Sequence, residues 1–297
     1  MKNPQRRRRR MDSRSKTFLC IIIPIVLLFF VFNTLALIQG FGYSLTNFRG
    51  YGSFDFVGLR NYIDLFTDPR VGRSYLFTFG FAVVCTILVN IISMLLAMGL
   101  TSRIKGKSAL RAIYFLPNIL GALVIGYVFN FFYTYILPAI GEAIHSGFLS
   151  HSLLANPKTA WFALVICVAW QSIAMNTLIY ISGLQNVPED VYEAGAIDGA
   201  TGFKRFRNIT FPLIMPYFTI NMVLSMKNYL MVFDQVVSLT GGGPAQSTES
   251  ISYLIYNNGL KGGAFGFQSA NAVVFFLLIV VVSVVQMKIL SRREEQL

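Results

Sequence analysis

Five stretches of this chain run for 26 residues or more without an Asp, Glu, Lys or Arg: Thr17 to Phe48, Ser74 to Ser102, Ala112 to Gly141, Thr159 to Pro188 and Gly262 to Met287. An α-helix needs about 20 apolar residues to cross about 30 Å of hydrocarbon, so each stretch is long enough to span a membrane. A sixth interval, Asn208 to Met226, is shorter but continues as apolar sequence past Lys227 toward Leu239. The expectation is an all-α polytopic membrane protein with six spans, at about 17 to 39, 74 to 101, 110 to 137, 159 to 184, 212 to 238 and 267 to 290. A membrane β-barrel would show alternating segments of about 10 residues instead. Only 13% of the residues are charged, against about a quarter in an ordinary soluble domain.

The distribution of basic residues orients the chain. With the N-terminus inside, 18 of the 25 Lys and Arg residues fall in the N-terminal tail, the loop Arg103 to Arg111, the loop around Lys204 and the C-terminus. Six fall outside, and Lys227 lies within a span. That asymmetry predicts both termini on the cytoplasmic side. The net charge of +12 and the run Arg6 to Arg10 read as a basic tail beside anionic headgroups, not as a nucleic-acid site. The expected organisation is a basic tail over 1–16, one transmembrane domain over 17–291 with a cytoplasmic loop at about 185–211, and a short tail over 292–297. The first apolar run exceeds the core of a cleaved signal peptide, so it is expected to remain as a helix.

Enzymatic chemistry has little to build on. The two histidines, His145 and His151, lie in a polar connection, and Cys20, Cys85 and Cys167 each sit inside an apolar run, so neither a metal site nor a disulfide framework is expected. Gly106, Lys107 and Ser108 resemble the end of a phosphate-binding loop, but Thr101 stands where its other glycine is required. Energy from ATP would therefore have to come from a partner chain. Asn208, Ile209 and Thr210 form a glycosylation-like triplet on what is read as the cytoplasmic side, where it has no meaning. The intramembrane charges are Lys227 and Asp234, placed by this map on one face of the fifth helix, two turns apart, each a partner for another helix or subunit or a lining of a polar path, with plain interfacial exposure the alternative for Asp234 near the outer end.

Between two apolar runs stands "EDVYEAGAIDGATGFKRFRNITFPL", residues 189 to 213. Pro188 followed by Glu189 and Asp190 is a helix start, and Gly199 supplies its stop. Ala194, Gly195 and Asp198 then form a small-residue face. Such a face can pack against the chain's own helices, but its place in a charged loop reads better as a docking helix for something outside the bilayer.

"EAGAIDGATGFKRFRNITFP" resembles the E-A-A loop of bacterial ABC-importer permeases: Glu193 and Ala194, then Gly199 after four residues, then Ile209, Phe211 and Pro212. Gly195 stands where the family usually has Ala, and Phe211 where it has Leu. The wider resemblance, to the carbohydrate branch, is carried by "FVGLRNYIDLFTDPR", "RAIYFLPNILGALVIGYVF", "MNTLIYISGLQNVPEDVYEAGAIDGA", "VFDQVVSLTGGGPAQST" and "SANAVVFFLLIVVVSVVQMKILSRR".

The resemblance implies the permease fold of type I ABC importers. It assigns Glu193, Ala194, Gly195, Asp198, Gly199, Ile209 and Pro212 to an element that couples to a separate ATPase. It also implies a second homologous permease, two ATPase subunits that hold ATP and magnesium, and an extracellular solute-binding protein. The cargo it implies is a carbohydrate, preferably an oligosaccharide, moved by alternating access.

Polar residues within the spans are the candidates for the sugar path: Asn221, Ser225, Asn228 and Gln235 on one stripe, Lys227 and Asp234 on another, and Trp170, Gln171 and Asn176 in the fourth span. Hydrogen bonding between helices is the alternative use of the same groups. Thr240, Gly241, Gly242, Gly243 and Pro244 are expected to form a flexible external turn and a contact for the binding protein. Two other function classes remain: a stand-alone ion-coupled sugar carrier, and a membrane enzyme acting on lipid-linked sugar.

Overall fold

The protein, described here from a computed structural model, is resolved in detail for residues 13–102, 106, 112 and 115–294. The arginine run and most of the loop around Lys107 lie outside the described residues. Ten helical elements among the described residues build the bundle and its ends. They are α1 (Phe18–Ser44), α2 (Arg60–Thr67), α3 (Pro69–Thr101), α4 (Ala122–Ala143), α5 (Pro157–Gln185), α6 (Glu189–Ile197), α7 (Gly202–Leu213), α8 (Met215–Leu230), α9 (Ile251–Leu254) and α10 (Phe265–Glu294). Among the described residues the one β-type pairing is an isolated bridge between Thr46 and Phe56.

Five helices are long and apolar enough to span a membrane, α1, α3, α4, α5 and α10, and the bent pair α7–α8 makes a sixth. The centre is α3 against α5. Ala82 and Cys85 of α3 share one buried cluster with Ala163 and Cys167 of α5, and Ala97 of α3 shares another with Tyr180 and Ile181 of α5. Small side chains at helical spacing let two helices approach closely where no hydrophobic drive exists between apolar segments and lipid. Tyr180 of α5 donates to Asn90 Oδ1 of α3 at 2.6 Å, deep in that seam. By contrast, the most apolar window of α1 has none of its residues buried within the chain. Such a face is solvated by lipid or by another subunit.

Three departures from a simple six-rod reading matter. The third apolar run is interrupted at Leu120 and Gly121, so α4 begins at Ala122 and reaches Ala143 rather than spanning 110 to 137; Gly121 is extended, with ψ 142°. α7 and α8 meet at 73° around Ile214, where Pro212 and Pro216 each remove a backbone donor. α8 stops at Leu230, and Met231 to Phe233 are non-helical before the chain turns again at Asp234. The fifth span is therefore not one helix over 212 to 238, and Lys227 and Asp234 do not share a helix face.

The loops gather at two ends. At one end, α2, the segment around Thr46 and the residues 240–264 pack together. Asn61 donates to Ser44 O and Thr46 O, both at 2.8 Å, and Gly266 N donates to Phe48 O at 2.7 Å. Arg70 forks onto Glu249, with Nε and Nη2 donating at 2.8 and 2.7 Å to its two carboxylate oxygens. At the opposite end lies α6, with the start of α1 and the end of α10, as an even number of spans requires.

Candidate functional site: an inter-helix cavity and a projecting helix

Between α5, α8 and the start of α4 lies a cavity of about 320 Å³, lined by Gln171, Asn176, Asn221, Ser225, Asn228 and Gln235 together with Asn118, Ser172, Tyr229 and apolar neighbours. The polar stripe expected on the fifth span and the polar residues of the fourth thus meet in one place. Asn176 organises the wall: Ser225 Oγ donates to its Oδ1 at 2.8 Å, and Asn221 Nδ2 donates to its backbone carbonyl at 3.0 Å. Gln235 Nε2 donates to Gln171 Oε1 at 2.9 Å, and Gln171 Nε2 donates to Leu120 O at 3.1 Å, capping the interruption before α4. Several of these groups therefore tie helices together, and some capacity remains. Asn221 Oδ1 is buried with no hydrogen-bond partner, while Asn228 is exposed to the cavity.

A second cavity of about 370 Å³ adjoins the first through shared walls at Ala122, Ser172, Asn228, Tyr229 and Gln235, and it adds Asp234. Two expected path residues stand apart. Trp170 is turned away and rests on Phe129, with ring centroids 5.4 Å apart, and the exposed Lys227 lines neither cavity. Sequence reasoning missed Ser172, Asn118 and Tyr229. Ser172 was detectable from its place one residue after Gln171 and four before Asn176, on the same helix face.

The helix α6 is built as its sequence dictates. Pro188 caps it in an extended conformation, with Glu189 and Asp190 in the first turn, where acids suit the positive end of the helix dipole. Its end is a Schellman motif: Ala200 N donates to Gly195 O at 2.8 Å, Gly199 N donates to Ala196 O at 3.1 Å, and Gly199 takes φ +73°. Glu193, Ala194, Ile197 and Asp198 are exposed, Ile197 to 87%.

Gly195 is not part of that outward face. It is buried, and a Cβ built on it would run into Ile209 Cδ1. This corrects the expected small face of Ala194, Gly195 and Asp198: the glycine seats α6 on the chain itself. Ile209 is half-buried as the other half of that contact, and Pro212 is half-buried at the bend leading to α8.

The turn Thr240 to Pro244 is tied down rather than flexible. Thr248 Oγ1 donates to Gly243 O at 2.7 Å and lies 2.8 Å from Thr240 Oγ1, and Gly242 is buried against Tyr253. Gly241 alone of the five is exposed, with φ +57°. Among the described residues no group of His, Cys, Asp and Glu could hold a metal ion.

A bundle of membrane spans that encloses a polar cavity and holds a capped helix clear of one end defines a membrane permease. Residues 90–296 match the family model of the binding-protein-dependent transport system inner membrane component. The chain is 35% identical to the probable starch degradation products transport system permease protein AmyD of Thermoanaerobacterium thermosulfurigenes, over 93% of this chain and 94% of that one. It is also 35% identical to the multiple sugar-binding transport system permease protein MsmF of Streptococcus mutans, covering 94% and 95%. The fold resembles a chain from a bacterial ABC transporter that imports the acidic polysaccharide alginate, with a TM-score of 0.81 over 94% of this chain and 96% of that chain, at 18% identity. The protein belongs to the family of binding-protein-dependent transport system inner membrane components, as a multi-pass plasma-membrane permease subunit of a sugar ABC importer.

Proposed function

We propose that this chain moves an oligosaccharide into the cell by alternating access, through the cavity between α5 and α8, and that α6 couples that movement to ATP hydrolysis on a separate subunit. The observation that carries the reading is the construction of α6. It is pinned from beneath by Gly195 on Ile209 and closed by Gly199, and it offers Glu193, Ala194, Ile197 and Asp198 to an outside partner.

The α6 end then faces the cytoplasm, which agrees with the excess of Lys and Arg on that side. A second permease completes the cavity and covers α1, two ATPase subunits hold ATP and magnesium, and a solute-binding protein delivers cargo at the opposite end. A relative named for starch degradation products and a structural neighbour in complex with a periplasmic protein bound to an alginate pentasaccharide both support an oligosaccharide and a delivery partner.

The test is affinity purification of the detergent-solubilised protein from its native membrane, wild type beside Glu193→Ala. The expected outcome is an ATPase and a second permease with the wild type and loss of the ATPase from the variant. A wild type that purifies alone from membranes in which it is active would sink the reading and favour an ion-coupled carrier.

A further inference from the structure

The two adjoining cavities are rich in hydrogen-bonding groups. No Lys, Arg or His lines either one among the described residues, and Lys227, the nearest in sequence, lines neither. The one carboxylate present is Asp234. It is half-buried, and among the described residues it has no salt-bridge partner. The hydrogen bond from Ser238 Oγ, at 2.7 Å, goes to its main-chain carbonyl rather than to its side chain.

The break at Met231 to Phe233 makes this placement possible. Because α8 ends at Leu230, Asp234 starts a new turn beside Gln235 instead of continuing the helix that carries Lys227, so no basic neighbour accompanies it into the cavity. A carboxylate on the cavity wall with no partner in the chain keeps its acceptor sites open to water or to a ligand that donates hydrogen bonds.

We infer that Asp234 makes this cavity selective by charge, so that it admits uncharged carbohydrates and excludes anionic ones. The inference rests on the cavity being the substrate path, as proposed above. Sugar hydroxyls donate to a carboxylate and accept from Asn228, Gln171 and Gln235. A carboxylated or phosphorylated sugar finds no guanidinium or ammonium on this chain's wall of the cavity to pair with and meets there a like charge whose field is focused by low-dielectric walls.

Thiol labelling of the assembled transporter in membrane vesicles tests both the charge filter and the path it rests on. Ser172→Cys places a near-isosteric thiol on the wall shared by both cavities, in a Cys20→Ser background. Cys85 and Cys167 are fully buried in the core. Three methanethiosulfonates are compared, neutral methyl, cationic trimethylammonium-ethyl and anionic sulfonatoethyl, each rate divided by that of the same reagent with a small thiol in solution.

The neutral reagent is expected to label, and the normalised cationic rate to exceed the anionic one by about tenfold. Asp234→Asn is expected to bring that ratio near one, and Asp234→Glu to keep it. A ratio near one in the parent, or one unchanged by Asp234→Asn, overturns the charge filter and leaves the path intact. A preference lost in Asp234→Glu assigns the effect to shape and overturns it as well. Failure of the neutral reagent to label removes the path itself and this inference with it.

Discussion

Ile209 Cδ1 fills the space that a Cβ on Gly195 would occupy, so α6 is held against its own chain through a missing methyl group. Glycine costs a helix up to about 1 kcal/mol relative to alanine, and here that cost is accepted for close seating. Cδ1 is the far end of a flexible side chain and the next atoms lie 3.7 Å or more away, so Gly195→Ala is expected to be met by a rotation of Ile209 and to leave stability within about 1 kcal/mol of the parent, with the gain in helix propensity offsetting the shift. Gly195→Leu, whose bulk a rotation cannot accept, is expected to loosen α6 and weaken the assembly by about 1–3 kcal/mol. Thermal unfolding of the purified complex and substrate-stimulated ATPase activity would both be followed. A neutral Gly195→Leu would refute the seating.

At the other end, Arg70 and Glu249 lie 179 residues apart in sequence and form a two-pronged ion pair in which the Glu249 side chain is only 3% exposed and that of Arg70 30%. Removing one partner of a buried pair strands the other charge, at about 3–5 kcal/mol. Arg70→Ala is therefore expected to be the severe change, because the carboxylate left behind is the buried group. Glu249→Gln leaves a partly exposed guanidinium that water can reach, and it is expected to cost less. Arg70→Lys is expected to fall between, since an ammonium does not reproduce the fork. Melting temperatures in detergent give the order; Glu249→Gln proving the worst of the three would contradict it.

The spans were legible because charge-free length is a direct physical signal: an unpaired charge in hydrocarbon is so unfavourable that its absence over 26 residues marks lipid or a packed bundle. The breaks were not. Gly121, Pro212 and Pro216 are visible as helix breakers, but an apolar run reads as continuous whether it bends by 73° at Ile214 or not. The direction of Gly195 was equally hidden, because a small-residue face carries no sign of which neighbour it receives. The grouping of Asn221 with Ser225 followed from i, i+4 spacing, whereas the Arg70–Glu249 pair depends on long-range packing that no local pattern encodes.

Tyr180 and Asn90 tie α5 to α3 through a 2.6 Å hydrogen bond, with Tyr180 fully buried and Asn90 4% exposed. Asn90 Nδ2 is already engaged with Thr86 O at 2.7 Å. Tyr180→Phe leaves Asn90 Oδ1 without its donor, which costs about 1–3 kcal/mol. Replacing both, as Asn90→Leu with Tyr180→Phe, removes donor and acceptor together and is expected to be milder than Tyr180→Phe alone. A double variant as unstable as the sum of its parts would show that the pair is not coupled.

Ser225 and Asn228 separate the two uses of polar groups in this bundle. Ser225 is buried, 3% exposed, and spends its hydroxyl on Asn176 Oδ1. Asn228 lines both cavities, is exposed, and its side chain makes no hydrogen bond among the described residues. Inter-helix hydrogen bonds in membranes average about 0.6 kcal/mol and reach about 1.7. Ser225→Ala is accordingly expected to lower the melting temperature of the complex with little change in the substrate concentration for half-maximal uptake. Asn228→Ala is expected to do the reverse, leaving stability unchanged and raising that concentration several-fold, since a lost hydrogen bond of about 1 kcal/mol is worth about fivefold. Uptake by the reconstituted importer, measured beside thermal unfolding, distinguishes them. If Asn228→Ala destabilised the complex and left uptake affinity unchanged, the wall of the cavity would be glue between helices and the sugar would have to pass elsewhere.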